Sequence, residues 1–122
     1  MIGYVTLGTN DLARAAVFYD AIAGELGVPR MMEFDGFIAW GKEGGGAGIG
    51  LTKPFDGNAA SVGNGVMVAI VVDSREKVQR VHAKALELGA RDEGPVGPRG
   101  DGFFAGYFRD LDGNKLNVFF MG

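Results

Sequence analysis

The chain has 122 residues, a formal charge of −3, 22 glycines, one histidine and no cysteine. That length suits one domain, which buries about two-thirds of its unfolded surface, and the acidic balance argues against a nucleic-acid partner. Without cysteine there are no disulfides, zinc–thiolate sites, iron–sulfur clusters or thiol nucleophiles, and no apolar run approaches the roughly 20 residues that span a bilayer.

Residues 2–8 are β-branched and aromatic enough for a first strand. Asn10 can cap a helix, and Asp11 suits the positive end of its dipole. Leu12, Ala15, Ala16, Tyr19, Ile22, Ala23 and Leu26 follow the helical period, and Gly27 and Pro29 end it. Three short strands are expected at 30–34, 37–41 and 48–53, the first two joined by the hairpin turn Asp35-Gly36. A polar connector at 54–65 follows. The order then recurs, with a strand at 66–72 and a helix capped by Asp73 or Ser74. That helix buries Val78, Val81, Ala85 and Leu88 and ends at Gly89, and a short strand follows at 90–93. A hairpin closes the chain, with strands at 104–110 and 115–121.

The two halves are also alike in sequence. Residues 21–27 read AIAGELG and residues 83–89 read AKALELG, and the same offset sets Asp11 over Asp73. Each half is therefore β-α-β-β-β. The expected fold is α+β: two tandem βαβββ modules, about 1–55 and 64–122, in one domain. Their eight strands form a curved sheet, a cup with the helices outside. A ferredoxin-like sheet is the alternative, but it leaves one strand in each half unused. Strand parity then divides the side chains. Leu116, Val118 and Phe120 go to the helix, as do Val68, Ile70 and Val72, and Val5 and Leu7. Lys115, Asn117, Phe119 and Met121 face the other way, together with Met67, Ala69 and Val71, and Tyr4 and Thr6.

Three stretches carry a resemblance: NDLARAAVFY at 10–19, VAIVVD at 68–73 and FRDLDGNKL at 108–116. They resemble the first-helix opening, the second-module strand and the closing Asp-Pro-Asp-Gly-Asn hairpin of the glyoxalase/bleomycin-resistance/extradiol-dioxygenase group, the vicinal oxygen chelate superfamily. Leu111 replaces the proline. The likeness covers nearly the whole chain and implies the paired-module cup and a homodimer. It names no substrate, since that superfamily hosts isomerases, dioxygenases, thiol transferases and non-catalytic drug binders.

The resemblance also implies a divalent metal on four inward positions, with His, Glu or Gln on the first, fourth, fifth and last strands. Carried over by spacing, these fall on Tyr4, near Gly50, on Met67 and on Asn117. A phenol, a hydrogen, a thioether and an amide do not make a hard-metal site. A shift of one residue brings in only Val5, Val66 or Leu116. No metal and no cofactor are expected.

The single His82 belongs on the outer helix, away from ligand chemistry. The Gly36…Gly41-Lys42 spacing of a phosphate loop fails because Glu43 stands where Ser or Thr is needed and glycines follow instead of a helix. Nor does the glycine-rich run 44–50 have dinucleotide spacing.

The candidate ligand contacts are an apolar set, Tyr4, Trp40, Phe55, Met67 and Phe103, with Phe119 and Met121 beside them. A polar set joins them: Lys53, Arg99, Tyr107, Arg109 and Asn117, with Asp101 and Lys115. Each aromatic can equally be core, and each cation can be a solvated or salt-bridged surface charge, Arg109 with Asp110 or Asp112. The segment 94–103, rich in Pro and Gly, reads either as a rim loop carrying Arg99, Asp101 and Phe103 or as a plain connector.

The expected function is a metal-free small-molecule binding protein whose pocket is lined by aromatic side chains. The alternative is a lyase, isomerase or dioxygenase-like enzyme acting on a small carbonyl or aromatic substrate, with Tyr4 or Tyr107 moving a proton. A domain acting through protein contacts is a third possibility. The partners are an unidentified small molecule and a second copy of the chain, with no nucleic acid and no membrane. The start Met1–Thr6 lacks a signal peptide's basic and apolar regions, so a cytoplasmic location is expected.

Overall fold

The structure, a computed structural model, describes residues 1–122. It divides into two compact units, Met1–Val62 and Gly63–Gly122.

In the first unit the elements are β1 (Tyr4–Gly8), α1 (Leu12–Leu26), β2 (Arg30–Phe34), β3 (Phe37–Trp40) and β4 (Gly48–Thr52). The sheet order is β1-β4-β3-β2, with β1 parallel to β4 and the other pairs antiparallel. Asp11, rather than Asn10, caps α1: its Oδ1 accepts from the Arg14 N–H at 3.1 Å. Asn10 instead ties the connector down, its Oδ1 accepting from Ala60 N–H at 2.7 Å. Gly27 ends α1 with φ 69°, where a side chain would be strained. The helix packs on β3 and β4 and buries Phe18, Tyr19 and Ile22 against one sheet face.

In the second unit β5 (Val68–Val71) and α2 (Arg75–Glu87) precede β6 (Arg91–Pro98), β7 (Phe103–Arg109) and β8 (Lys115–Met121). The sheet order is β5-β8-β7-β6, the same connectivity as in the first unit. Ser74 caps α2 by accepting from Lys77 N–H at 3.1 Å. Val78, Val81, His82 and Ala85 are buried on its sheet-facing side.

The fold is thus α+β, with tandem βαβββ modules and two four-stranded sheets. The unexpected element is β6. Residues 94–98, expected in a loop, pair with β7 through two register shifts that absorb Glu93 and the Pro95-Val96 pair. As the sheet edge, β6 can carry Pro95 and Pro98 without breaking an inner ladder. Only residues 99–102 remain as a turn, closed by Arg99 N–H donating to Phe103 O at 2.7 Å. No helix is long and apolar enough to cross a membrane.

Candidate functional site

Each sheet has one face under its helix and one face free of it. On the helix-free face of the first sheet, β1 presents Tyr4 and Thr6, which pair with Gly48 and Gly50 of β4. The Phe37 ring lies on this face, edge-on to Tyr4 at 6.1 Å and beside Phe34 at 6.3 Å. It rests directly on Gly50, where an added Cβ would stand 2.9 Å from Phe37 Cζ.

Trp40 is not on this face, contrary to expectation. It shares parity with Ile38, is 4% exposed, and lies 5.8 Å from the Tyr19 ring of α1. Its indole N–H donates to Asp20 Oδ1 at 2.9 Å. Asp20 also receives both N–H arms of Arg30, which holds its carboxyl below the ordinary carboxylate range. Strand alternation sends Trp40 to the same side as Ile38, and there Asp20 of α1 supplies the acceptor that a buried indole N–H needs.

Lys53 is likewise displaced. Continuing β4 parity past Leu51, it reaches the start of α1 and lines a shallow depression with Asn10, Asp11 and Asp35. Phe55 is fully exposed (105%) in the turn that Gly57 N–H closes on Pro54 O, and it is packed against neither sheet.

The second sheet gathers most of the remaining candidates on its helix-free face. The β7–β8 register sets Phe103 opposite Met121, Ala105 opposite Phe119, Tyr107 opposite Asn117 and Arg109 opposite Lys115. Phe103 and Phe119 stack at 5.2 Å and 23°. Met67 precedes β5 on the same parity as Ala69 and Val71, and Val71 is 70% exposed. Arg99 leans over the Tyr107 ring at 5.5 Å, and Lys115 Nζ is 5.7 Å from that ring. Arg109 donates to Glu93 Oε1 at 2.7 Å and to Gly113 O at 3.0 Å. The guanidinium holds the Glu93 carboxyl below its usual range. The ion-pair partner is thus Glu93. Asp110 instead turns its carboxylate onto the Asp112, Asn114 and Asn114 side-chain N–H groups.

Asn117 is 1% exposed, and its Oδ1 is buried without a hydrogen-bond partner. His82 lies on the other face. Its Nε2 is 3.2 Å from Asp92 Oδ1 and 3.1 Å from Tyr107 O. Both partners are acceptors, so Nε2 carries the proton.

Reading the sequence missed three contributors. Phe34 and Phe37 follow from the Asp35-Gly36 turn once Trp40 is placed under α1. Glu93 was hidden by the register shift, which no local pattern announces.

A family model for "Glyoxalase/Bleomycin resistance protein/Dioxygenase superfamily" matches residues 1–118. The chain belongs to this superfamily. Among solved structures, a glyoxalase/bleomycin resistance protein from Albidiferax ferrireducens T118 is 30% identical, with TM-score 0.90 over 100% of this chain and 99% of that one. A family enzyme from Burkholderia phytofirmans PsJN is 15% identical, with TM-score 0.77 over 98% of each chain. Lactoylglutathione lyase from Agrobacterium tumefaciens is 18% identical, with TM-score 0.69 over 98% of this chain and 92% of that one. At those lower identities the likeness is one of fold. A search of curated proteins gave no match.

The divalent metal held by many superfamily enzymes does not fit the four corresponding positions here. Tyr4 is an exposed phenol, and Gly50 has no side chain under a ring that fills the space. Met67 and Asn117 supply a thioether and a neutral amide. Nowhere do three or more His, Asp or Glu side chains gather as a metal would need.

Proposed function

We propose that the protein binds a small organic molecule without a metal ion, holding it against aromatic side chains of a helix-free sheet face. The observation that carries this reading is the donor chemistry at Tyr4, Gly50, Met67 and Asn117, where ring, thioether and amide replace imidazole and carboxylate. Ring faces and a few oriented polar groups are what a ligand site of this kind uses. Native mass spectrometry of freshly purified protein tests it. A co-purified organic mass without metal supports the proposal, and one divalent ion per chain refutes it.

The enzymatic alternative rests on Tyr107, the one hydroxyl-bearing ring flanked by two cations. Isomerisation of the methylglyoxal–glutathione adduct, assayed with Ni²⁺ and Zn²⁺ supplied, decides between them. The proposal extends to a cytoplasmic homodimer. The dimer rests on the family resemblance, since Trp40 and Phe104, expected at an apolar rim, are buried, and light scattering that shows a strict monomer removes it.

A further inference from the structure

We infer that the helix-free face of β7 and β8 takes a small organic anion with a flat apolar tail, such as an aromatic carboxylate, in keeping with the metal-free binding proposed above. The face is polarised along its strands. From the hairpin outward, the opposed pairs run Arg109–Lys115, Tyr107–Asn117, Ala105–Phe119 and Phe103–Met121. At about 3.3 Å per residue, Tyr107, where two cations gather, lies about 7 Å from the Ala105–Phe119 pair and about 13 Å from Phe103, which is room for a two-ring molecule and its acid group. At the far end, the stacked Phe103 and Phe119 rings offer apolar surface to a planar tail.

At the near end the charges do not cancel. Glu93 engages Arg109. Lys115 and Arg99 form no ion pair, although both lie within 6 Å of the Tyr107 ring centroid. Arg99 N–H groups donate to the carbonyl oxygens of Pro95 and Gly97, which position the guanidinium without neutralising it. Two cations held at one tyrosine, neither in ion-pair contact with a carboxylate although Lys115 also acts at longer range on Glu93, present a place for a ligand's carboxylate. Their order relative to the stacked rings sets the ligand's polarity: acid toward the hairpin, ring toward Phe103.

The test is calorimetric titration of EDTA-treated, dialysed protein with 2-naphthoate and with its neutral isostere 2-naphthamide. The expected result is a preference of about tenfold or more for the anion, in line with charge-assisted hydrogen bonds. Lys115→Gln and Arg99→Gln should each cut that preference severalfold, weakening naphthoate more than naphthamide. Phe119→Ala should weaken both probes alike. Equal binding of the two probes, or a preference that survives both cation substitutions, overturns the inference while leaving metal-free binding intact. Failure of either probe to bind until Ni²⁺ or Zn²⁺ is added overturns both proposals.

Discussion

Asn117→Leu separates stability from function at one position. The Asn117 Oδ1 is buried and accepts nothing. Leaving such an acceptor unpaired costs about 1–3 kcal/mol. Leucine has the same branching and number of side-chain heavy atoms, so the change opens no cavity, but its larger methyl groups crowd Tyr107 and Ala69 on the neighbouring strands. With about 1 kcal/mol set against the gain for that crowding, the net stabilisation is about 1 kcal/mol. An unfolding entropy of about 2.1 cal/mol/K per residue turns this into a rise of about 4 °C in Tm for 122 residues. Scanning calorimetry of wild type and variant at one pH reads it directly. Binding of any organic molecule that mass spectrometry finds co-purified should weaken in the same variant, because the only fully buried amide of that face is lost. A fall in Tm would mean that Oδ1 has a partner in solution, and the reasoning would fail.

Acid should destabilise the protein through two ion pairs. Asp20 and Glu93 have folded-state values depressed below 3.8 and 4.5, mainly by Arg30 and Arg109. Their contribution is therefore complete above about 4.5 and is lost as pH falls through the lower folded-state values. Thermal melts should decline below that point, and more shallowly in Asp20→Asn; an unchanged slope refutes the role of Asp20. Gly106→Ala places a Cβ 2.8 Å from Val96 Cγ2 and 2.9 Å from His82 Cδ2, under α2. It should cost about 1–3 kcal/mol in denaturant unfolding. His82→Ala should relieve part of that loss in the double variant and leave ligand binding unchanged, since both residues sit on the helix-covered face. Impaired binding in His82→Ala would contradict that placement.

Element order and strand parity were legible because they rest on local periodicity. The β8 alternation put Leu116 and Val118 under the helix and Asn117 on the opposite face, and the burial of Leu116 and Val118 follows it. The AIAGELG and AKALELG segments marked two equivalent helices, each ended by a glycine of positive φ at Gly27 and Gly89. What failed was any decision that turned on a partner distant in sequence. Trp40 looks like a ligand-binding ring until Asp20, twenty residues away, is seen to take its N–H. Glu93 finds Arg109 only because a bulge realigns β6. Residues 94–98 carry proline and glycine, the composition of a loop, yet an edge strand tolerates both.

Phe37 and Gly50 show why the first module cannot take a chelating group at position 50 by one substitution. The Phe37 ring occupies the volume that a side chain at position 50 would need, with two ring carbons within 3.0 Å of its Cβ position. A glutamate there would have to displace the ring, and Phe37 is itself held between Tyr4 and Phe34. At Gly48, one pair further along, an added Cβ would meet the Trp40 carbonyl oxygen at 2.6 Å, which is backbone and cannot swing away. Both glycines on this face of β4 are therefore tied to the packing of β3. In the second module Met67 is 41% exposed and free of such constraint, while Asn117 retains a buried polar atom. In the first module an aromatic ring occupies the space beside Gly50, and in the second an amide is buried opposite Tyr107, where two cations gather. That difference is why the proposed recognition of charge is assigned to the second sheet rather than the first.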